Sequence, residues 1–124
     1  MKHRLKVLVV DDERNLTDIT VDILSMHGYE ARGCYGGRQG IEVARTFCPD
    51  ILLMDVLMPD LNGIDAALVL RAEQPNLRVL LISGQASVAN LLSRARAQGH
   101  DFPLLSKPLA PETLLAKLQD AASA

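Results

Sequence analysis

Short apolar runs alternate with segments of helical period along this whole chain, and that alternation leaves few architectures open. Leu5 to Val10 is a β-branched run that halts at Asp11-Asp12-Glu13. Tyr29 to Tyr35 is weaker and half polar, as an edge strand tolerates. Ile51 to Met54, opened by Pro49-Asp50, is too short for an ordinary helix and reads as a buried strand that delivers Asp55 at its tip. Arg78 to Ile82 is a fourth run, and Leu104-Leu105 is all that remains of a fifth.

Helical spacing fills the gaps. From Asn15, the residues Leu16, Ile19, Thr20, Ile23, Leu24 and His27 recur at three and four, and Gly28 supplies a left-handed stop. Ile41, Ala44 and Cys48 mark one side of a second helix that follows Gly36-Gly37 and ends at Pro49. A third, about Ile64 to Glu73, presents Ile64, Ala67, Leu68 and Arg71. A fourth takes Val88, Leu91, Leu92 and Ala95 and stops at Gly99. The last opens with Pro111 in the first helical position, with Leu109 and Leu114 placed as a hydrophobic staple and Leu115 and Leu118 packing it down. No linker, repeat or low-complexity run intervenes, so residues 1–124 read as one domain. Strands this apolar, alternating with helices, require an α/β fold with a parallel sheet covered on both faces. Right-handed crossovers make it doubly wound. Periodicity leaves the strand order open.

Composition excludes several function classes. Aromatic residues make up 3% of the chain and Trp is absent, so the core is aliphatic and there are no stacking platforms for single-stranded nucleic acid. A net charge of −2 gives no basic field for direct nucleic-acid binding, and Lys2, Arg4 and Lys6 read as a solvated lead-in to the first strand. No run is long enough for a membrane helix, and the apolar stretch after the basic start ends in three acids, unlike a signal peptide. Cys34 and Cys48 lack metal-type spacing and fit reduced thiols in a cytoplasmic protein. His3, His27 and His100 share no spacing, and Tyr35-Gly36-Gly37-Arg38-Gln39-Gly40 reads as a turn rather than a phosphate loop. Arg94 and Arg96 beside Leu91 and Leu92 fit either a partner surface or a solvated helix face.

In a parallel sheet every strand ends along one edge, where such folds build ligand sites. That edge receives Asp11, Asp12 and Glu13, then Asp55, Ser83 and Lys107. Converging carboxylates persist by raising a pKa or by binding a cation. Oxygen-only donors suit Mg²⁺, which keeps waters and uses one or two carboxylates plus a phosphate oxygen. An aspartate beside such an ion is a nucleophile toward a phosphoryl group, with Lys107 and Ser83 available to hold the transferred oxygens.

Val9-Val10-Asp11-Asp12-Glu13, Leu53-Met54-Asp55-Val56-Leu57-Met58-Pro59 with Asn62-Gly63, Leu81-Ile82-Ser83-Gly84 and Ser106-Lys107-Pro108-Leu109 together resemble the receiver domain of two-component response regulators. The resemblance covers essentially the whole chain. It implies a flavodoxin-like fold with strand order 2-1-3-4-5 and five helices. It also implies phosphorylation by a sensor histidine kinase or a histidine phosphotransfer protein. By position it makes Asp55 the phosphoacceptor, with Mg²⁺ at Asp12 directly, at Asp11 largely through water, at Asp55, and at the Leu57 backbone carbonyl. Ser83 and Lys107 become the phosphate-sensing pair, and Lys107-Pro108 a cis peptide.

The resemblance further implies that phosphorylation shifts the face of helix four, strand five and helix five toward a downstream protein partner. It fits a monomer or weak dimer, and, with 124 residues, a stand-alone receiver; the rival is a fragment of a longer regulator or hybrid kinase. Two departures from the pattern stand out. Leu104 stands where the family often has an inward-swinging aromatic, with Phe102 out of register, and the flanking positions Leu57 and Gln85 bear on phosphoryl lifetime. Two other classes fit worse. An aspartate-nucleophile phosphatase of the haloacid dehalogenase type needs a second Asp at Leu57, and a flavin carrier needs a Ser/Thr-rich loop where this chain has three acids.

Overall fold

Five strands form one parallel sheet: Lys6–Val10 (β1), Glu30–Cys34 (β2), Ile51–Asp55 (β3), Arg78–Ser83 (β4) and Leu104–Ser106 (β5), in the order β2-β1-β3-β4-β5. Between and after them run Arg14–Met26 (α1), Gly37–Phe47 (α2), Gly63–Glu73 (α3), Ala89–Ala97 (α4) and Pro111–Ser123 (α5). This computed structural model describes residues 4–84 and 89–123, with backbone only for 89–91. Expectations for Lys2, His3, Gln85, Val88 and the Leu91 side chain therefore lie outside the described residues.

The two-residue alternation of the strands splits the core into two layers. Leu8, Val10, Leu52, Met54 and Leu81 face α2, α3 and α4, where they meet Ala44, Phe47, Ile64, Ala67, Leu70, Leu92 and Ala95. Val7, Val9, Ile51, Leu53, Leu80, Ile82 and Leu105 face α1 and α5 through Leu24, Leu114 and Leu118. β3 is buried at every position, which explains its unbroken apolar spelling. Leu109 joins Leu114 in the second layer, as a staple requires.

Two expected faces are shifted in part. In α1 the buried residues are Thr17 and Leu24, with Val21 packed beside them, while Leu16 and Ile19 are exposed. The chain spells two apolar stripes there, and the sheet takes the one that seats Thr17, whose hydroxyl donates to the Asp11 carbonyl at 2.8 Å. In α2 Ala44 and the partly buried Ile41 pack inward as expected, joined by Gly40 and Phe47, while Cys48 is exposed at the helix end with φ +50°. Gly40 is small enough to let α2 press onto β1, since a Cβ there would meet Val10 Cγ2 at 2.9 Å. Both cysteines are free, and burial pushes the Cys34 thiol up to about 11, against the pull of Arg32.

Candidate functional site

Parallel register brings the strand tips level. Val10 lies opposite Met54, Asp55 opposite Ile82, and Ser83 opposite Ser106. The residues just beyond therefore share one edge. The Lys107 backbone N–H donates to the Ser83 carbonyl at 3.0 Å, extending the ladder past β5, and the Lys107-Pro108 peptide is cis as expected.

The structure gathers Asp11, Asp12 and Asp55 so that one carboxylate oxygen of each lies within 4.8 Å of the others. Asp11, Asp55 and Ser83 are buried, while Asp12 is open to solvent. Lys107 Nζ sits among acids: 2.8 Å from Asp11 Oδ2, 3.3 Å from Asp55 Oδ2 and 3.4 Å from Glu13 Oε1. Its close partner is Asp11, and the contact with Asp55 is at the long end of hydrogen bonding.

One ammonium does not balance these acids. Burial and the neighbouring Asp11 carboxylate push Asp55 up to about 6, with Asp12 adding to the rise and Lys107 only partly opposing it. Burial alone would lower Lys107, but its hydrogen bond to Asp11 and the Asp55 charge leave it above the ordinary lysine value. Three oxygen donors with surplus negative charge and no sulfur or imidazole among them fit a hard divalent cation. Leu57, half exposed, lies two residues beyond Asp55 in the following loop.

That loop is held from both sides. Gly63 N–H donates to the Val56 carbonyl at 2.7 Å, and any Cβ at Gly63 would collide with the Asp55 backbone carbonyl. Close approach, rather than backbone conformation, is what requires glycine there. The Asn62 side chain caps α3 by accepting from the N–H groups of Ile64 and Asp65. Asp60 reaches the other way and accepts from the N–H groups of Gly37 and Arg38 at 3.0 Å each, so it caps α2 from outside that helix. Gly36 and Gly37 make room, since a Cβ on either would press against Asp60 or Leu61.

Sequence reading missed Asp60, Thr17 and the Glu13 contact, all of which are tertiary pairings. Leu104 lies partly exposed on β5, opposite Leu81. Phe102 is buried instead in the layer of α3 and α4, stacked on His100 at 5.7 Å with the Arg71 guanidinium 5.3 Å from its ring. Among the described residues no helix is long and apolar enough to cross a membrane.

A model of the response regulator receiver domain matches residues 7–119. The chain is 32% identical over 114 residues to the chemotaxis protein CheY of Thermotoga maritima, covering 91% of this chain and 93% of that one. It is 34% identical over 113 residues to the probable transcriptional regulatory protein TcrX of Mycobacterium tuberculosis, covering 91% of this chain but 47% of that protein. The chain thus spans about half the length of TcrX and of several MprA response regulators. The crystal structure of a CheY-like receiver domain protein from Methanospirillum hungatei superposes with a TM-score of 0.89 at 25% identity, over 98% of this chain and 95% of that one. Chemotaxis protein CheY4 of Vibrio cholerae does so at 0.86 with 28% identity, over 96% and 99%. With the family model reaching from within β1 into α5 and the acidic cluster seated at the strand tips, this chain belongs to the response regulator receiver domains of two-component signalling.

Proposed function

We propose that the chain is a phosphoacceptor switch in which Asp55 accepts a phosphoryl group from a sensor histidine kinase or a histidine phosphotransfer protein in the cytoplasm. The observation that carries this is the convergence of Asp11, Asp12 and Asp55 beside the Lys107 ammonium. A Asp55 carboxylate oxygen bonds to phosphorus while the bond to the donor breaks and its electron pair leaves with the donor. Lys107 exchanges part of its contact with Asp11 for a phosphoryl oxygen, and the Ser83 hydroxyl donates to another. Mg²⁺, held by Asp11, Asp12, Asp55 and the Leu57 carbonyl, would supply the charge neutralisation that lets an anionic donor approach.

The new charge then biases a pre-existing equilibrium of the α4-β5-α5 face, where a downstream protein binds. Leu104 offers that face a flexible aliphatic contact in place of an aromatic one. The phosphatase reading is set aside because Leu57 provides no second acid. One further reading has support of its own: the chain acts as the receiver of a longer regulator, since it spans about half of TcrX.

Intact-mass measurement after incubation with a small phosphodonor tests the assignment. Wild type is expected to gain one phosphoryl group only when Mg²⁺ is present, and Asp55→Asn is expected to gain none. A gain that survives Asp55→Asn, or no gain at all, overturns it.

A further inference from the structure

Three carboxylates share Lys107, and one of them, Glu13, has no part in the chemistry set out above. Asp11 and Asp55 lie behind the ammonium at 3% and 8% side-chain exposure, whereas Glu13 stands in front of it at 65%. Glu13 is the residue that precedes the first turn of α1, yet its side chain caps no helix N–H. Its own N–H donates to Asp11 Oδ1 at 3.0 Å, which fixes where the side chain leaves the backbone. A negative charge is therefore held at the mouth of the site by the same residue that lines its floor.

We infer that Glu13 is a donor-selectivity residue, a fixed charge at the entrance that slows transfer from highly charged small phosphoryl donors more than from less charged ones. This rests on Asp55 being the acceptor. Coulomb repulsion scales with the charge the donor brings. Acetyl phosphate is a dianion in neutral solution, while phosphoramidate, protonated on nitrogen, carries one negative charge fewer. In both cases an Asp55 oxygen bonds to phosphorus and the P–O or P–N bond breaks. The electron pair departs with acetate in the first case and with ammonia in the second. N-phosphoryl donors are thus admitted more readily than acyl phosphates, and Glu13 widens the difference.

Rates of Asp55-dependent mass gain at saturating Mg²⁺ decide the matter, compared for wild type, Glu13→Gln and Glu13→Asp with each donor. Glu13 is exposed and caps nothing, so neither variant removes a packing or capping contact. At about 0.02 M salt, Glu13→Gln is expected to accelerate acetyl phosphate by about 3- to 10-fold and phosphoramidate by about 2-fold. Both gains shrink toward unity at about 0.5 M salt, where screening is short-ranged. Glu13→Asp, which keeps the charge, stays near wild type. Equal acceleration of both donors, or acceleration indifferent to salt, overturns the inference, because either would mean that Glu13 acts by placing Lys107. Unchanged rates overturn it as well. A wild type with no Asp55-dependent gain would instead overturn the Asp55 assignment and this inference with it.

Discussion

Cys48 sits at φ +50° and ψ +63°, a left-handed conformation that costs an L side chain about 1 kcal/mol or more and that glycine adopts without strain. Its thiol is exposed and makes only a long 3.6 Å contact with the Arg45 carbonyl. Cys48→Gly is therefore expected to stabilise the protein by about 0.5–1 kcal/mol, read from chemical denaturation, and a loss of stability would contradict this. Asp55 is the opposite case, a residue placed at a cost. Its acidity is displaced upward to about 6 from an ordinary value of 3.8, so the folded state binds the proton more tightly than the unfolded chain does. The stability this contributes is fully present below the unfolded value and is lost as pH rises through about 6. Without divalent ions, wild type should lose on the order of 2–3 kcal/mol from this group between pH 4 and pH 7. Asp55→Asn should flatten that part of the pH–stability curve. Equal slopes in wild type and Asp55→Asn over this window would contradict the raised acidity of Asp55.

At the scale of elements, the loop after β3 links two helices. Asn62 caps α3 locally and Asp60 caps α2 across the fold. The N–H of Arg38 and, against the cost of burial, that of Gly37 hold the Asp60 carboxyl below the usual range. Removing it in Asp60→Ala should cost about 1 kcal/mol and speed hydrogen exchange at the first amides of α2. Unchanged exchange at Arg38 would mean that the cap contributes nothing. The local cap could be read from the sequence, because Asn62 immediately precedes the helix it serves. Asp60 could not, because its partners are brought close only by the packing of α2 against the loop. The same distinction explains α1: two apolar stripes are spelled on that helix, and only the seat of Thr17 beneath Asp11 decides between them.

For the molecule as a whole, the parallel sheet converts sequence order into position. Asp11, Asp55, Ser83 and Lys107 could be assigned to one edge as soon as the strands were recognised, since every strand of such a sheet ends on the same side. What that reasoning left open was distance. That Lys107 pairs first with Asp11, that Glu13 joins it, and that Phe102 is buried against Arg71 are results of side-chain packing. Because the acid cluster is under-neutralised, a divalent ion should stabilise the whole fold by mass action. Adding Mg²⁺ at about a hundred times its dissociation constant should raise unfolding free energy by about 2–3 kcal/mol, and Asp12→Asn should remove most of that gain. An equal Mg²⁺ response in wild type and Asp12→Asn would place the ion elsewhere.

The two outer strands have a consequence for life at high concentration. β2 presents Glu30 and Arg32 among its exposed and half-exposed positions, and β5 is three residues long. An incoming chain seeking to extend the sheet would find charge along one border and almost no backbone along the other. The five-stranded sheet thus offers little for fibril-like strand addition at either border.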